Sequence, residues 1–348
     1  MANINDILND ARIKGCSDVH IGENTGITLR QDGKLIEFEQ TFSNEEIKEM
    51  ILSMCKDRIL KIVEKHEDAD FVYVNDLGRH RVNIYFQQGY MTAAIRIINE
   101  QIKTLEELHL PDVLHKLALL PRGLVLVTGP TGSGKSTTMA CLIDRINHSR
   151  EGHIITLEDP LEYLHRHDRC IVSQREICTD TENYLTSLRA TLRQSPDVIL
   201  LGEMRDHETI QTAMTAAETG HLVLSSLHTL GAANSISRII DVFEPAQQHQ
   251  IIVQLSMVLQ AVISQQLIPD VNGKVIPVFE VMRLTPAIRN MIRDNKLHQI
   301  EGVIASSSQD QMRSMDYSLV ELYKQGRIHK DTAIKYALNP DMIRHKLV

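Results

Sequence analysis

No stretch of this 348-residue chain approaches the roughly eighteen consecutive apolar residues that a membrane-spanning helix needs, so no segment is expected to cross a bilayer. The opening Met1-Ala2-Asn3-Ile4-Asn5-Asp6 has neither the basic nor the apolar region of a secretory leader, which points to the cytoplasm. Positive charge is short: 37 Lys and Arg stand against 45 Asp and Glu, a net charge of −8. That balance argues against duplex nucleic acid or an anionic membrane surface as the main partner. Cysteine is scarce and scattered. Cys16, Cys55, Cys141, Cys170 and Cys178 form no C-x-x-C pair, and such thiols read as small apolar fillers or harmless surface groups. Internal repeats and low-complexity tracts are also missing.

What the chain does have is 43% apolar content over a length that suits two or three domains. The first hundred or so residues read as a separate α+β domain. Residues 27–40 alternate around Asp32-Gly33, a hairpin signal. Residues 43–63 have helical spacing and open at a Ser43-Asn44-Glu45-Glu46 cap. Strands are expected at 71–74, 82–86 and 94–98, parted by turns at Asn75-Asp76-Leu77-Gly78 and Gln87-Gln88-Gly89. The polar segment 99–110 reads as a linker.

Further on, strands at 124–128, 153–158, 170–173, 197–202 and 221–227 alternate with helices up to about residue 280, the pattern of an α/β, mostly parallel sheet covered on both faces. Residues 281–348 read as helical, with helices at 287–296, 315–325 and 330–338.

The chemistry begins at Gly129-Pro130-Thr131-Gly132-Ser133-Gly134-Lys135-Ser136-Thr137, a complete G-x-x-x-x-G-K-[ST] loop between an apolar strand and a helix. Glycines let backbone amides close around an anion, the helix N-terminus adds positive potential, and Lys135 reaches the terminal phosphates. Ser136 offers a hydroxyl to Mg²⁺. The chain is therefore expected to bind a nucleoside triphosphate with Mg²⁺.

Three further elements follow. Ile154-Ile155-Thr156-Leu157-Glu158-Asp159-Pro160-Leu161-Glu162 is an apolar strand ending in carboxylates, with Pro160 stopping the strand and turning Glu162 outward. Asp197-Val198-Ile199-Leu200-Leu201-Gly202-Glu203 is a second apolar strand whose terminal acid suits the metal's water shell or the attacking water. Thr219-Gly220-His221 through Leu227-His228-Thr229 is a strand flanked by two histidines. These are too far apart in sequence for a metal pair.

In order and spacing these elements resemble the Walker A, Asp, Walker B and His boxes of the secretion and type IV pilus ATPase family. The likeness extends to Ser17-Asp18-Val19-His20-Ile21 near the start. Toward the end, Ala287-Ile288-Arg289-Asn290-Met291-Ile292 is similar to the family's AIRNLI motif, which is associated with retraction, with Met for Leu at 291. No cysteine follows Cys178, so the four-cysteine zinc insertion of assembly and type II secretion members is missing.

The resemblance implies a PAS-like domain at 1–98 and a RecA-like core at 111–280, assembled as a homohexamer that powers pilus retraction from the inner face of the cytoplasmic membrane. It implies an inner-membrane platform protein as partner, a second pilus ATPase beside it, and no stable nucleic acid. By the same resemblance the nucleotide is ATP, Glu158, Asp159 and the loop hold it, Ser136 and Glu203 serve the metal, and Glu162 or Glu203 positions water. Arg81 and Arg96 match the arginines that reach the phosphates, and His221 and His228 match phosphate sensors or ring-interface residues. An accessory retraction ATPase and a nucleic-acid-translocating ring are the alternatives.

Overall fold

Two β-sheets organise the chain, each in its own unit, 1–101 and 102–348. The computed structural model describes residues 3–31, 33–76, 78–98, 102–307 and 310–347.

The first unit begins with helix α1 (Ile4–Ile13), which buries Ile4, Ile7, Leu8 and Ala11, one face at helical spacing. Strands β1 (Asp18–Gly22), β2 (Gly26–Gln31) and β3 (Lys34–Glu37) follow, then helices α2 (Asn44–Ser53) and α3 (Asp57–Val63). Strands β4 (Ala69–Asn75), β5 (Gly78–Gln87) and β6 (Tyr90–Ile97) complete an antiparallel sheet in the order β3-β2-β1-β6-β5-β4.

The expected hairpin is β2–β3, joined with Gln31 opposite Lys34; Asp32 lies outside the described residues, as does Leu77 of the next turn. The cap at Ser43 forms in full: Glu46 N donates to Ser43 Oγ at 3.2 Å and Ser43 N to Glu46 Oε2 at 2.8 Å. The helical stretch 43–63 is two helices rather than one, broken at Met54–Lys56 where Lys56 turns extended.

The second unit carries α4 (Val113–Ala118), β7 (Gly123–Thr128), α5 (Lys135–Ser149), β8 (Gly152–Glu158), β9 (Cys170–Glu176), α6 (Tyr184–Thr191) and β10 (Val198–Leu201). It continues with α7 (His207–Glu218), β11 (Leu222–Leu227), α8 (Ala232–Asp241), α9 (Pro245–Val258), β12 (Leu259–Pro269) and β13 (Val275–Arg283). Helices α10 (Pro286–Arg293), α11 (Ile300–Ser306), α12 (Met315–Lys324), α13 (Lys330–Lys335) and α14 (Pro340–Arg344) close the chain.

The sheet order is β13-β12-β7-β11-β10-β8-β9, parallel throughout except that β13 runs antiparallel to β12 at one edge. Alternate residues of β7 enter opposite cores: Leu124 and Leu126 pack with α7 and α9 residues, Val125 and Val127 with α4 and α5 residues. A sheet buried on both faces explains the near-continuous apolar runs of its central strands.

Two expectations change. The segment 102–110, expected as linker, belongs to the second unit, with Leu105 and Leu110 buried in its core; 99–101 lie outside the described residues. Strands β12 and β13 were not anticipated, because buried Ser264, Gln265, Gln266 and Glu280 interrupt their apolar runs.

Candidate functional site

In a parallel sheet every strand delivers its C-terminal end to the same edge, and the register here aligns those ends closely. Thr128 pairs with Leu227, Ser225 with Leu201, and Leu201 with Leu157. Gly129, Glu158, Glu203 and His228 therefore leave four neighbouring strands on one edge, where ligands sit in open α/β sheets.

The loop from Gly129 is built for a close approach of backbone. Gly129 has φ +146°, and a Cβ there would lie 2.2 Å from the Gln265 carbonyl oxygen and 2.6 Å from Ser133 Oγ, so no larger residue fits. Lys135 Nζ donates to the carbonyls of Gly129 at 2.9 Å and Pro130 at 3.0 Å, which places its ammonium inside the loop. Burial lowers the Lys135 pKa from its ordinary value, opposed by the negative charges of Glu203 and Glu162.

Helix α5 is preceded by Gly134, which gives it no side-chain cap, leaving its first amides without a side-chain partner at the loop. Ser133 Oγ is buried with no hydrogen-bond partner among the described residues. Uncapped amides, an orphaned hydroxyl and a lysine fit a phosphate, whose oxygens would satisfy all three. Thr137 Oγ1 lies 2.8 Å from Tyr163 OH and so serves the loop's flank.

A chain of charged and polar contacts leads away from Lys135. Its Nζ lies 3.5 Å from His228 Nδ1, which is also 3.4 Å from Thr131 Oγ1. His228 Nε2 lies 3.3 Å from Glu203 Oε2, and Arg205 closes on Glu203 Oε1 at 2.6 Å. Glu203 is 13% exposed, shielded enough for its charge to act strongly on a group bound at the loop. Glu158 is half-buried at the end of β8, its pKa pushed up to about 7, chiefly by removal from water, with Glu162 and Glu176 adding to the shift. Asp159 and Glu162 are exposed beyond it.

One expected residue of the second unit is not brought to this group. His221 precedes β11 at its opposite end, on the order of 20 Å from His228 at the rise of an extended strand. Its Nδ1 sits 2.9 Å from the Ala216 carbonyl and 3.3 Å from Thr219 Oγ1, tying it to the end of α7. Within one chain His221 is therefore a local anchor and not a nucleotide contact.

Arg81 and Arg96 belong to the first unit and are directly paired across β5 and β6. Arg81 is held by Asp70 at 2.7 Å and Arg96 by Asp18 at 3.0 Å. Both side chains project from the polar side of β5 and β6, as expected from the buried Val82, Ile84 and Ile95 beside them. Sequence reasoning missed Arg205, whose signal was a basic residue two positions after the strand-end acid.

Mg²⁺ takes oxygen donors, keeps several waters, and usually accepts one or two protein groups plus substrate phosphates. Ser136 and Glu203 would offer oxygens of that kind, and no group of three or more His, Cys, Asp or Glu that could hold a metal is present among the described residues.

A phosphate loop at the strand-end edge of a parallel sheet, with a strand-end acid and a histidine beside it, defines a P-loop nucleotide-binding protein. The chain belongs to the Type II/IV secretion system protein family, whose sequence profile matches residues 1–322. It is 39% identical over 341 residues to the type IV pilus retraction ATPase PilT of Pseudomonas aeruginosa, covering 97% of this chain and 99% of that one. It is also 39% identical over 335 residues to the type IV pilus ATPase PilU of the same organism, covering 95% and 87%. A crystal structure of the pilus retraction motor PilT with bound ADP superposes with TM-score 0.93 at 40% identity, over 99% of this chain and 100% of that one.

Proposed function

We propose that this chain is a Mg²⁺-dependent ATPase that retracts type IV pili, converting hydrolysis of ATP to ADP and phosphate into mechanical work. The observation that carries the reading is the Lys135–His228–Glu203–Arg205 contact chain at the mouth of a complete phosphate loop. Its support is likeness over almost the full length to the retraction ATPase of P. aeruginosa.

In this reading the amides of 132–137 and Lys135 hold the phosphates. Bound Mg²⁺, held by Ser136 and Glu203, would supply charge neutralisation at the phosphate oxygens. Glu203 or Glu162 orients the attacking water, and His228, in contact with both Lys135 and Glu203, reports on the terminal phosphate. Glu158 and Asp159 complete the acidic wall. His221 has a place only at a subunit interface.

The working form is a homohexamer, with a PAS-like N-terminal domain and a RecA-like core in each subunit. It is cytoplasmic and docks on an inner-membrane platform protein. Arg81 and Arg96 serve nucleotide in a neighbouring subunit. Their ion pairs are exposed, and such pairs contribute about 0–1 kcal/mol, so exchanging Asp70 and Asp18 for phosphate oxygens costs little.

An ATPase that works beside a second pilus motor is the alternative within the class, and the PilU relative is no less similar in identity. Deletion of the gene alone, scored by pilus retraction in live cells, tests the reading. Retraction should stop and return with the wild-type gene but not with Glu203→Gln. Persistent retraction in the deletion strain would transfer the primary role to another ATPase.

A further inference from the structure

Strand β12 departs from the apolar pattern of its neighbours with three consecutive buried polar residues, Ser264, Gln265 and Gln266. Each side chain serves a different element. Ser264 Oγ accepts from Gly231 N at 2.8 Å, at the start of α8. Gln266 Nε2 donates to the Tyr336 carbonyl at 2.9 Å, after α13. Gln265, 1% exposed, turns to the phosphate loop.

Its position follows from the register. Beyond the Ser264–Thr128 pair β7 turns into the loop while β12 runs straight on, so Gln265 stands beside the loop. Gln265 Nε2 donates to the Ser133 carbonyl at 2.5 Å, and Gln265 Oε1 accepts from Thr138 Oγ1 at 2.9 Å. One amide thus spans the junction between loop and helix, where Gly134 takes φ +86°.

That bond has a directional consequence. In a trans peptide the carbonyl and the following N–H point opposite ways. Pinning the Ser133 carbonyl toward β12 therefore aims the Gly134 N–H away from β12, into the cradle that Lys135 occupies. The other face of Gln265 holds Thr138, one turn into α5, so the amide plane cannot rotate without losing both bonds.

We propose that Gln265 is a positioning residue for nucleotide: its side-chain amide fixes the Ser133–Gly134 peptide so that the loop's amides are pre-aimed at phosphate. This deepens the assignment of the loop as the ATP site and rests on it. Pre-aimed donors act on bound phosphate in ground and transition states alike, so their loss raises KM more than it lowers kcat.

The test compares Gln265→Met with Gln266→Met, each keeping side-chain length and removing the hydrogen bonds. In purified full-length protein, ADP affinity by titration calorimetry and steady-state KM and kcat for ATP are measured, with melting temperature alongside. Gln265→Met should weaken ADP binding and raise KM about tenfold, a loss of about one buried hydrogen bond, with kcat within about threefold. Gln266→Met should leave both constants within about twofold while lowering the melting temperature comparably.

Equal ADP affinity in Gln265→Met and wild type would overturn the proposal and leave Gln265 as packing. If Gln265→Met does not fold, Thr138→Val, which frees only one end of the amide, decides: a KM raised several-fold supports the proposal and an unchanged KM refutes it. Failure of the site assignment itself would show separately, as wild type and Lys135→Ala binding ADP equally.

Discussion

Replacing Ile288 with alanine should unfold the second unit at lower temperature without touching its chemistry. The motif at 287–292 resembles a retraction signature, yet its apolar face is core: Ile288 and Ile292 are fully buried, and Met291 packs partly buried against the same cluster. Ala287, one helical step from Ile288 at the edge of that face, is exposed with Arg289 and Asn290. Truncating a fully buried isoleucine costs about 2–5 kcal/mol, transfer and cavity together. For a unit of about 250 residues each kcal/mol moves the melting point by about 2–4 °C, so a mid-range loss of about 3 kcal/mol is roughly 6–12 °C.

ATP turnover measured well below the transition should stay within about twofold, because α10 packs against α9 and α11. Any coupling role must then belong to the exposed side, so Arg289→Ala with Asn290→Ala should leave melting temperature and hydrolysis intact while slowing retraction. An Ile288→Ala protein that melts like wild type would refute the packing argument. Normal retraction in the Arg289, Asn290 pair would refute the coupling argument.

Other expectations concern the site and its arginines. Glu203→Gln and Glu162→Gln should each cut turnover by at least about 10²-fold with ADP affinity retained, since their charge acts mainly in the transition state; normal rates in both would make these acids structural. Mixing inactive Lys135→Ala subunits with inactive Arg96→Ala subunits should restore some activity if the arginine acts in trans. No recovery in rings shown to exchange subunits would exclude a shared site. Glu158, raised from the usual 4.5 to about 7, binds its proton more tightly folded than unfolded, so stability falls as pH rises between those values. Glu158→Gln should flatten that slope in melting curves at pH 5 and 8, and an unchanged slope would place the pH dependence elsewhere.

How much of this was legible in the sequence follows the range of the interactions. The phosphate loop is local chemistry, nine consecutive residues between strand and helix, and it was readable at once. Glu158 and Glu203 were readable because a strand's last residue in a parallel sheet has only one edge to occupy. The same rule, applied strictly, separates His221 from His228: they flank a six-residue strand and so leave it at opposite ends of the sheet.

Contacts between distant segments left no such trace. Gln265 meets Ser133 across 132 positions, and nothing in either neighbourhood predicts the pairing. The buried polar run that makes β12 useful also disguised it, because strand recognition rests on apolar periodicity. A single helical step, from Ile288 to Ala287, is likewise enough to move a residue from an apolar face to solvent.

Phosphate release from ATP by the purified chain, with Mg²⁺, in wild type and Lys135→Ala, tests the central claim most directly. The account predicts steady turnover by wild type, unchanged by single-stranded DNA, and none above background in the variant, because Lys135 supplies the only side-chain charge within the loop. Equal turnover in the two proteins would contradict it.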